Sequence, residues 1–407
     1  MNKTCSSKHN FAMMKFSAVS LLVLILFTSC KKSNTTSGVD GTPTPTLPER
    51  VFYTPSQFVM GADLSYVNQV QDYGGVFKDS GAVKDPFTIF KLHGANTIRV
   101  RLWHNPLWTG PLNAGKFYSD LADVEKTIQR AKNAGMIVNL DFHYSDEWAD
   151  PGNQKMPAAW SASLSLNDLK DSVYNYTFRV LNYLKSKNLT PEMVQVGNET
   201  NQGMLFNTGK VVSNNWTPFA ELLKSGIKAV RDFSLSSTIK PQIILHVAGI
   251  SDADYFANGV INLGGVTDFD ILGISHYYIW ATVNTMSDIT ARISNLKTKY
   301  GKKVMIVETA YPWTSAGADS YNNIISGSTS VPGYDISKEG QLKYLKDFTQ
   351  AIIAGGGSGI MYWEPAWITS GLRDKWGTGS SWENATLFDF TGNSLPAFDY
   401  MTVKYNF

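Results

Sequence analysis

The chain has 407 residues, 43% hydrophobic and 17% charged, which excludes a disordered polymer and allows one large domain or two ordinary ones. A net charge of +2 supplies no basic surface for nucleic acid or for a polybasic membrane contact. Both cysteines, Cys5 and Cys30, fall at the N-terminal end, so the remaining chain has no disulfide and no thiol chemistry.

The N-terminal stretch comes first. Lys3, Lys8 and Lys15 precede the apolar run 16–27 (FSAVSLLVLILF). That run is shorter than the about 20 apolar residues a membrane-crossing helix needs. Thr28, Ser29 and Cys30 then resemble the lipobox of bacterial lipoproteins. The resemblance implies a signal peptide over 1–29, cleavage before Cys30 and a lipid on Cys30. Residues 30–50 are rich in Ser, Thr, Gly and Pro and read as a flexible tether without a core. The expected location is the cell envelope of a Gram-negative bacterium, surface-exposed or periplasmic, with the membrane touched only through the lipid. A monomer is the default expectation for a tethered protein.

Eight short apolar runs follow, at 58–62, 97–102, 136–142, 193–197, 242–247, 269–275, 304–307 and 359–363. None alternates, as expected of parallel strands buried on both faces. Apolar residues at helical spacing lie between them over 121–133, 166–187, 219–233, 287–300 and 338–354. Asn133-Ala-Gly and Ala354-Gly-Gly-Gly supply helix stops before the next strand. No second linker interrupts 51–407. Eight strands alternating with helices in one domain predict an α/β fold, a single (β/α)8 TIM barrel. No strand leads through Gly-x-Gly-x-x-Gly into a helix, so a dinucleotide site is not expected.

Active sites of such barrels lie at the carboxyl ends of the strands, and here those ends are polar and aromatic. The first run ends in Asp63. The second carries Arg99 and Arg101 and ends in Trp103 and His104. One of the two arginines is expected to turn outward by strand alternation. The third run ends in Asp141, His143 and Trp148, the fourth in Asn198 and Glu199, the fifth in His246. The sixth ends in His276, Tyr277 and Trp280, the seventh in Glu308 and Trp313, the eighth in Trp363, Glu364 and Trp367. Either His143 or His246, taken alone, reads as a core histidine, and Trp160, Trp216 and Trp382 suit packing as well as binding. Glu199 and Glu308 differ, because a carboxylate just past an apolar strand is costly unless something requires it.

Two carboxylates flanking one bond are the apparatus of glycoside hydrolysis: one protonates the leaving oxygen, and the other attacks the anomeric carbon or activates water. A separation of about 5–5.5 Å means retention and about 6.5–9.5 Å inversion, which sequence leaves open. The aromatic share of 13%, with 11 Trp, 19 Tyr and 21 Phe, suits either a large core or a cleft that stacks on sugar rings.

The Asn-Glu after the fourth run and the Glu after the seventh resemble clan-A glycoside hydrolases. More narrowly, Gly61-Ala-Asp-Leu-Ser, TIRVRLW (97–103), LDFHYSDEWADP (140–151), VGNETNQ (196–202), GISHYYIW (273–280), VETAYPW (307–313) and GIMYWEPAW (359–367) resemble glycoside hydrolase family 53, the endo-β-1,4-galactanases. The resemblance covers the chain from residue 58 onward. It implies a retaining endo-hydrolase of β-1,4-galactan in pectin side chains, with Glu199 as acid/base, Glu308 as nucleophile and no cofactor for catalysis. It also implies Asp63, Arg99, His143, Trp148, Asn198, Tyr277 and Trp363 as ligands or supports around the sugar. The strand ends add Trp103, Asp141, His276, Trp313 and Trp367 as candidate substrate contacts. Other readings are a mannan- or arabinan-cleaving clan-A enzyme, or a lipid-anchored glycan-binding protein without catalysis. The family pattern after strand six resembles SYYPFW, and His276 and Tyr278-Ile279 depart from it. Bacterial members resemble one another in a calcium loop after strand seven, of which Asp319 and Asn323 keep only part.

Overall fold

The computed structural model describes residues 49–160 and 165–407. The expected signal peptide, Cys30 and the expected tether up to residue 48 lie outside the described residues. Eight parallel strands form a closed barrel: β1 (Val59–Asp63), β2 (Thr97–Leu102), β3 (Ile137–Phe142), β4 (Met193–Val196), β5 (Gln242–Ala248), β6 (Ile271–Ser275), β7 (Lys303–Glu308) and β8 (Gly359–Tyr362). Each strand pairs with its neighbours in sequence, and β8 closes on β1. All eight expected strands are present, with ends shifted by at most two residues.

The outer helices have clear local causes. Helix Leu121–Asn133 starts at Asp120, whose side chain accepts from the Asp123 N–H. Helix Leu166–Ser186 starts in a capping box between Ser165 and Asp168. Helices Met286–Tyr300 and Lys338–Ala354 are capped by the side chains of Thr285 and Ser337, which accept from the Asp288 and Gly340 N–H groups. Two crossovers are less regular. After β1 the chain makes the short helices Val67–Asp72 and Pro86–Leu92, and after β5 helix Ala253–Ala257 runs into a π-helical turn, Asn258–Leu263. Among the described residues, no helix is long and apolar enough to cross a membrane.

What positions the site is the change of character along the barrel's inner face. Val59, Met193, Ile244, Ile271, Met305, Val307 and Met361 form an apolar cluster of their own, separate from the larger core between strands and helices. Further along the same strands, at the same parity, stand Asp63, Gln195, His246 and Ser275, all buried. Side chains two or four positions apart share a face of a strand. A dry floor thus gives way to a polar mouth within one or two inward positions.

The same parity rule corrects the expectation for the two arginines. Arg99 and Arg101 are two apart and lie on one face, both buried. It also corrects His276: with Ser275 and Tyr277 facing in, His276 must face out. Its ring is fully buried against Phe348 of helix Lys338–Ala354, with centroids 5.2 Å apart, and neither ring nitrogen has a hydrogen-bond partner among the described residues. Burial pushes its pKa down to about 4, so it stays neutral there. Glu308 needs a different device, because Val307 already points into the floor. The β6–β7 register shifts there: Ile274 pairs with Ile306 but Ser275 with Glu308. The extra residue on β7 turns Glu308 into the mouth.

Candidate active site

Arg99 is the hub of the mouth. Its Nη1 contacts Asp63 Oδ2 at 2.9 Å and Glu308 Oε1 at 2.7 Å. Its Nη2 contacts Asp141 Oδ2 at 2.8 Å and Asn198 Oδ1 at 2.9 Å, and Nε reaches Gln195 Oε1 at 3.3 Å. One buried cation thus serves three carboxylates, and their charges hold the guanidinium protonated. Asp141 also accepts from Gln195 Nε2 at 2.7 Å and from His143 Nε2 at 3.1 Å. His143 Nδ1 accepts from Trp103 Nε1 at 3.3 Å and from the Ala149 N–H at 3.2 Å, which leaves its single proton on the Asp141 side.

Glu199 stands beyond β4 in a left-handed conformation, φ 46°. A non-glycine residue there is strained and persists only where its surroundings over-determine it. Gly197 allows the turn, since its φ is 84° and a Cβ would come 2.7 Å from Thr200 Cγ2. One carboxylate oxygen of Glu199, one of Glu308 and a ring nitrogen of His246 lie within 4.8 Å of one another. The two carboxylates therefore meet at the short spacing. Burial and the charge of Glu308 raise the Glu199 pKa, opposed by Ser275 and Arg99. Burial raises Glu308 too, against direct contact with Arg99 and a 2.8 Å hydrogen bond donated by the Tyr277 hydroxyl. Among the described residues Glu308 touches a cation and Glu199 does not, so a proton shared by the pair rests on Glu199. Tyr277 itself is held protonated by burial and by Glu308 and Glu199.

These groups open into a cavity of about 840 Å³. Trp148, Asn198, Glu199, Tyr277, Glu308, Trp363 and Trp367 line it, as expected of substrate contacts. Asp63, Arg99, Asp141, His143 and Trp103 do not line it. They are buried directly beneath and act through the residues they hold. His276 and Trp313 are not part of the site. Trp313 donates to the Glu383 carbonyl at 3.2 Å and packs on Phe390, a scaffold contact between two loops. The cavity also takes Trp280 from the end of the sixth run and Trp382, which the sequence leaves between packing and binding, together with Trp376, Tyr321 and Ser275, which the sequence does not single out. Six of the chain's 11 tryptophans line it, so the aromatic excess serves the cleft.

Arg101 supports the aromatic wall from below. It pairs with Glu364 at 2.8 Å and lies over the rings of Tyr66, Trp148 and Trp103 at 4.1, 4.3 and 4.8 Å. The two of its N–H groups without hydrogen-bond partners, Nε and Nη2, belong to this aromatic cage.

The loop after β7 carries Asp319 and Asn323, which approach Glu383 from the segment after β8. Glu383 Oε2 and Asn323 Oδ1 are buried without a hydrogen-bond partner among the described residues. Burial and the charge of Asp319 push the Glu383 pKa up, and among the described residues no lysine or arginine pairs with either acid. Orphaned oxygens and two unpaired carboxylates fit a hard cation.

Residues 59–401 match the family described as Glycosyl hydrolase family 53. The chain is 43% identical over 352 residues to an arabinogalactan endo-beta-1,4-galactanase of Cellvibrio japonicus, covering 86% of this chain and 91% of that one. It is 33% identical over 377 residues to an endo-beta-1,4-galactanase of Bacillus subtilis, covering 84% of each. The solved family 53 catalytic domain of Ignisphaera aggregans superposes with a TM-score of 0.77 at 36% identity, over 89% of this chain and all of that one.

Proposed function

The chain belongs to glycosyl hydrolase family 53, and on that footing we propose that it cleaves β-1,4-galactosidic bonds within (arabino)galactan with retention of configuration. The carrying observation is the spacing of Glu199 and Glu308, whose oxygens approach within 4.8 Å. That close approach supports the about 5–5.5 Å carboxyl spacing of double displacement over the about 6.5–9.5 Å of an inverting site. Glu308, kept ionised by Arg99 and aimed by Tyr277, attacks the anomeric carbon. Glu199 gives its proton to the departing glycosidic oxygen. A covalent galactosyl–Glu308 intermediate forms, and Glu199, now ionised, takes a proton from the water that releases it. Asn198 Nδ2 donates one hydrogen to the Ala149 carbonyl at 2.8 Å, and its second remains for the sugar 2-hydroxyl. Incubation with potato galactan should release reducing ends and oligosaccharides of the β-anomer by NMR. Release from mannan or arabinan instead, or from no polysaccharide, would overturn the reading.

Two finer points belong to the same proposal. Cys30 carries a lipid and residues 30–50 tether the barrel as a monomer to the envelope of a Gram-negative cell. The basic n-region, the short apolar run and the small residues before Cys30 support this. Labelled palmitate should enter the protein and fail to enter Cys30→Ser. A structural calcium ion is held by Asp319, Asn323 and Glu383. When bound it would cross-link the loops after β7 and β8 and take no part in the chemistry.

A further inference from the structure

A buried histidine and a serine lie next to the proton donor, and the mechanism above leaves both unused. His246 on β5 has no exposed surface, and Ser275 ends β6. His246 Nε2 and Ser275 Oγ are 2.8 Å apart. On the other side of the ring, Nδ1 faces N–H groups of Gln195 Nε2 at 2.9 Å and of the Glu199 backbone at 3.2 Å. Asn198 Oδ1 also lies 3.0 Å from Nδ1, but this oxygen already accepts from Arg99 Nη2. Two donors against one engaged acceptor make Nδ1 an acceptor. The ring stays neutral, because burial and the charge of Arg99 both oppose a second proton. Its one proton therefore sits on Nε2 and is donated to Ser275 Oγ. The serine hydroxyl, having accepted there, keeps its own proton for the cavity that Ser275 and Glu199 line together, on the side of the Glu199 carboxyl.

We propose that His246 and Ser275 are a positioning pair for Glu199, in which the imidazole fixes the direction of the serine hydroxyl and the hydroxyl holds the ionised Glu199 carboxylate in place. The pair rests on the reading of Glu199 as acid/base. Its effect falls on the second half-reaction, where Glu199 must be ionised and aimed at water. The backbone N–H of Glu199 is tied to the same ring, so one imidazole anchors both ends of the residue. This gives the left-handed conformation of Glu199 a cause: it turns the main-chain N–H toward Nδ1 and leaves the side chain facing Ser275.

The other groups facing Glu199 are Glu308 from β7, Arg99 from β2, Asp150 from the loop after β3 and Tyr277 from the loop after β6. Ser275→Ala leaves all of them in place. A hydrogen bond to the ionised form lowers a carboxyl pKa, so its loss raises that of Glu199. The alkaline limb of kcat/KM, which falls as Glu199 loses its proton, should move up by about half to one pH unit in Ser275→Ala. The acidic limb, set by Glu308, should not move. On an aryl β-galactobioside, where release of the intermediate limits turnover, kcat should fall about tenfold. His246→Leu should move the same limb in the same direction. Nitrogen-15 NMR of the wild-type protein should show His246 protonated at Nε2 and bare at Nδ1. An unmoved alkaline limb in Ser275→Ala that melts at the wild-type temperature, or a proton found on Nδ1, would overturn the pair. If Glu199→Gln turned over galactan normally, the acid/base reading itself would fall. An inactive Glu199→Gln with an unmoved limb in Ser275→Ala would remove the positioning pair alone.

Discussion

The two carboxylates are held by opposite means. On the β7 side, Glu308 meets a guanidinium at 2.7 Å and a phenol at 2.8 Å, and that guanidinium is braced by Asp63 and Asp141. On the β4 side, Glu199 has no ion pair among the described residues, and its neighbours are a serine hydroxyl and a neutral imidazole. Charge fixes one group in a single state. Neutral hydrogen bonds leave the other free to change state. A retaining site needs that asymmetry, since its nucleophile must start ionised while its acid must lose and regain a proton in every cycle.

Leaving-group dependence is the strongest test of this contrast. Glu308→Gln should lower kcat/KM on the order of 10⁵-fold on galactan and on an activated aryl galactobioside alike, because attack is lost in both. Glu199→Gln should cost about 10²–10⁴-fold on galactan. On the aryl substrate, which needs no proton to depart, the first step should survive as a stoichiometric burst of phenol. Equal sensitivity to the leaving group in the two variants would abolish the distinction.

A smaller change should weaken only the β7 side. Tyr277→Phe removes the hydrogen bond to the ionised form of Glu308. Loss of one charge-assisted bond should cost about one to two orders of magnitude in kcat/KM. The Glu308 pKa rises, so the acidic limb of the pH profile should move to higher pH while the alkaline limb stays. This is the mirror image of the shift expected for Ser275→Ala. If both limbs moved together in either variant, the two carboxylates would not be separately controlled.

Much of this contrast can be read in the sequence, and the part that cannot has a common cause. Apolar runs without alternation mark the eight strands, and a carboxylate closing an otherwise apolar run stands out at Glu199 and at Glu308. Residues whose role depends on direction are harder to read. His276 sits in a motif full of site residues, yet its odd step from Ser275 sends it into the helix layer. Trp103 and Trp313 stand at strand ends but are used beneath and beside the cleft. A single polar residue inside an apolar run, as Gln195 in MVQV or His246 in ILHVA, does carry a signal, because it must find a partner inside the barrel. Which partner depends on register between strands, and the register shift at Ser275 and Glu308 has no sequence mark. Trp280 and Trp376 lie in loops, where no periodicity says which way a side chain turns.

The mildest test concerns whether the β7 side depends on its own loop. Asp319 and Asn323 follow Glu308 in sequence, so a cation held there with Glu383 could be supposed to tune the nucleophile. The contacts argue otherwise, since Glu308 already meets Arg99 directly and is aimed by Tyr277. Removal of calcium with a chelator should therefore lower the melting temperature by about 5 °C. The acidic limb should stay where it is, and KM for galactan should rise, because Tyr321 and Ile324 of that loop line the cavity. Restoring calcium should reverse both changes, and Asp319→Ala should reproduce them without a chelator. A shift of the acidic limb on chelation would mean that Glu308 is held by more than the arginine and the phenol. Charge fixation on the β7 side would then extend beyond the barrel mouth.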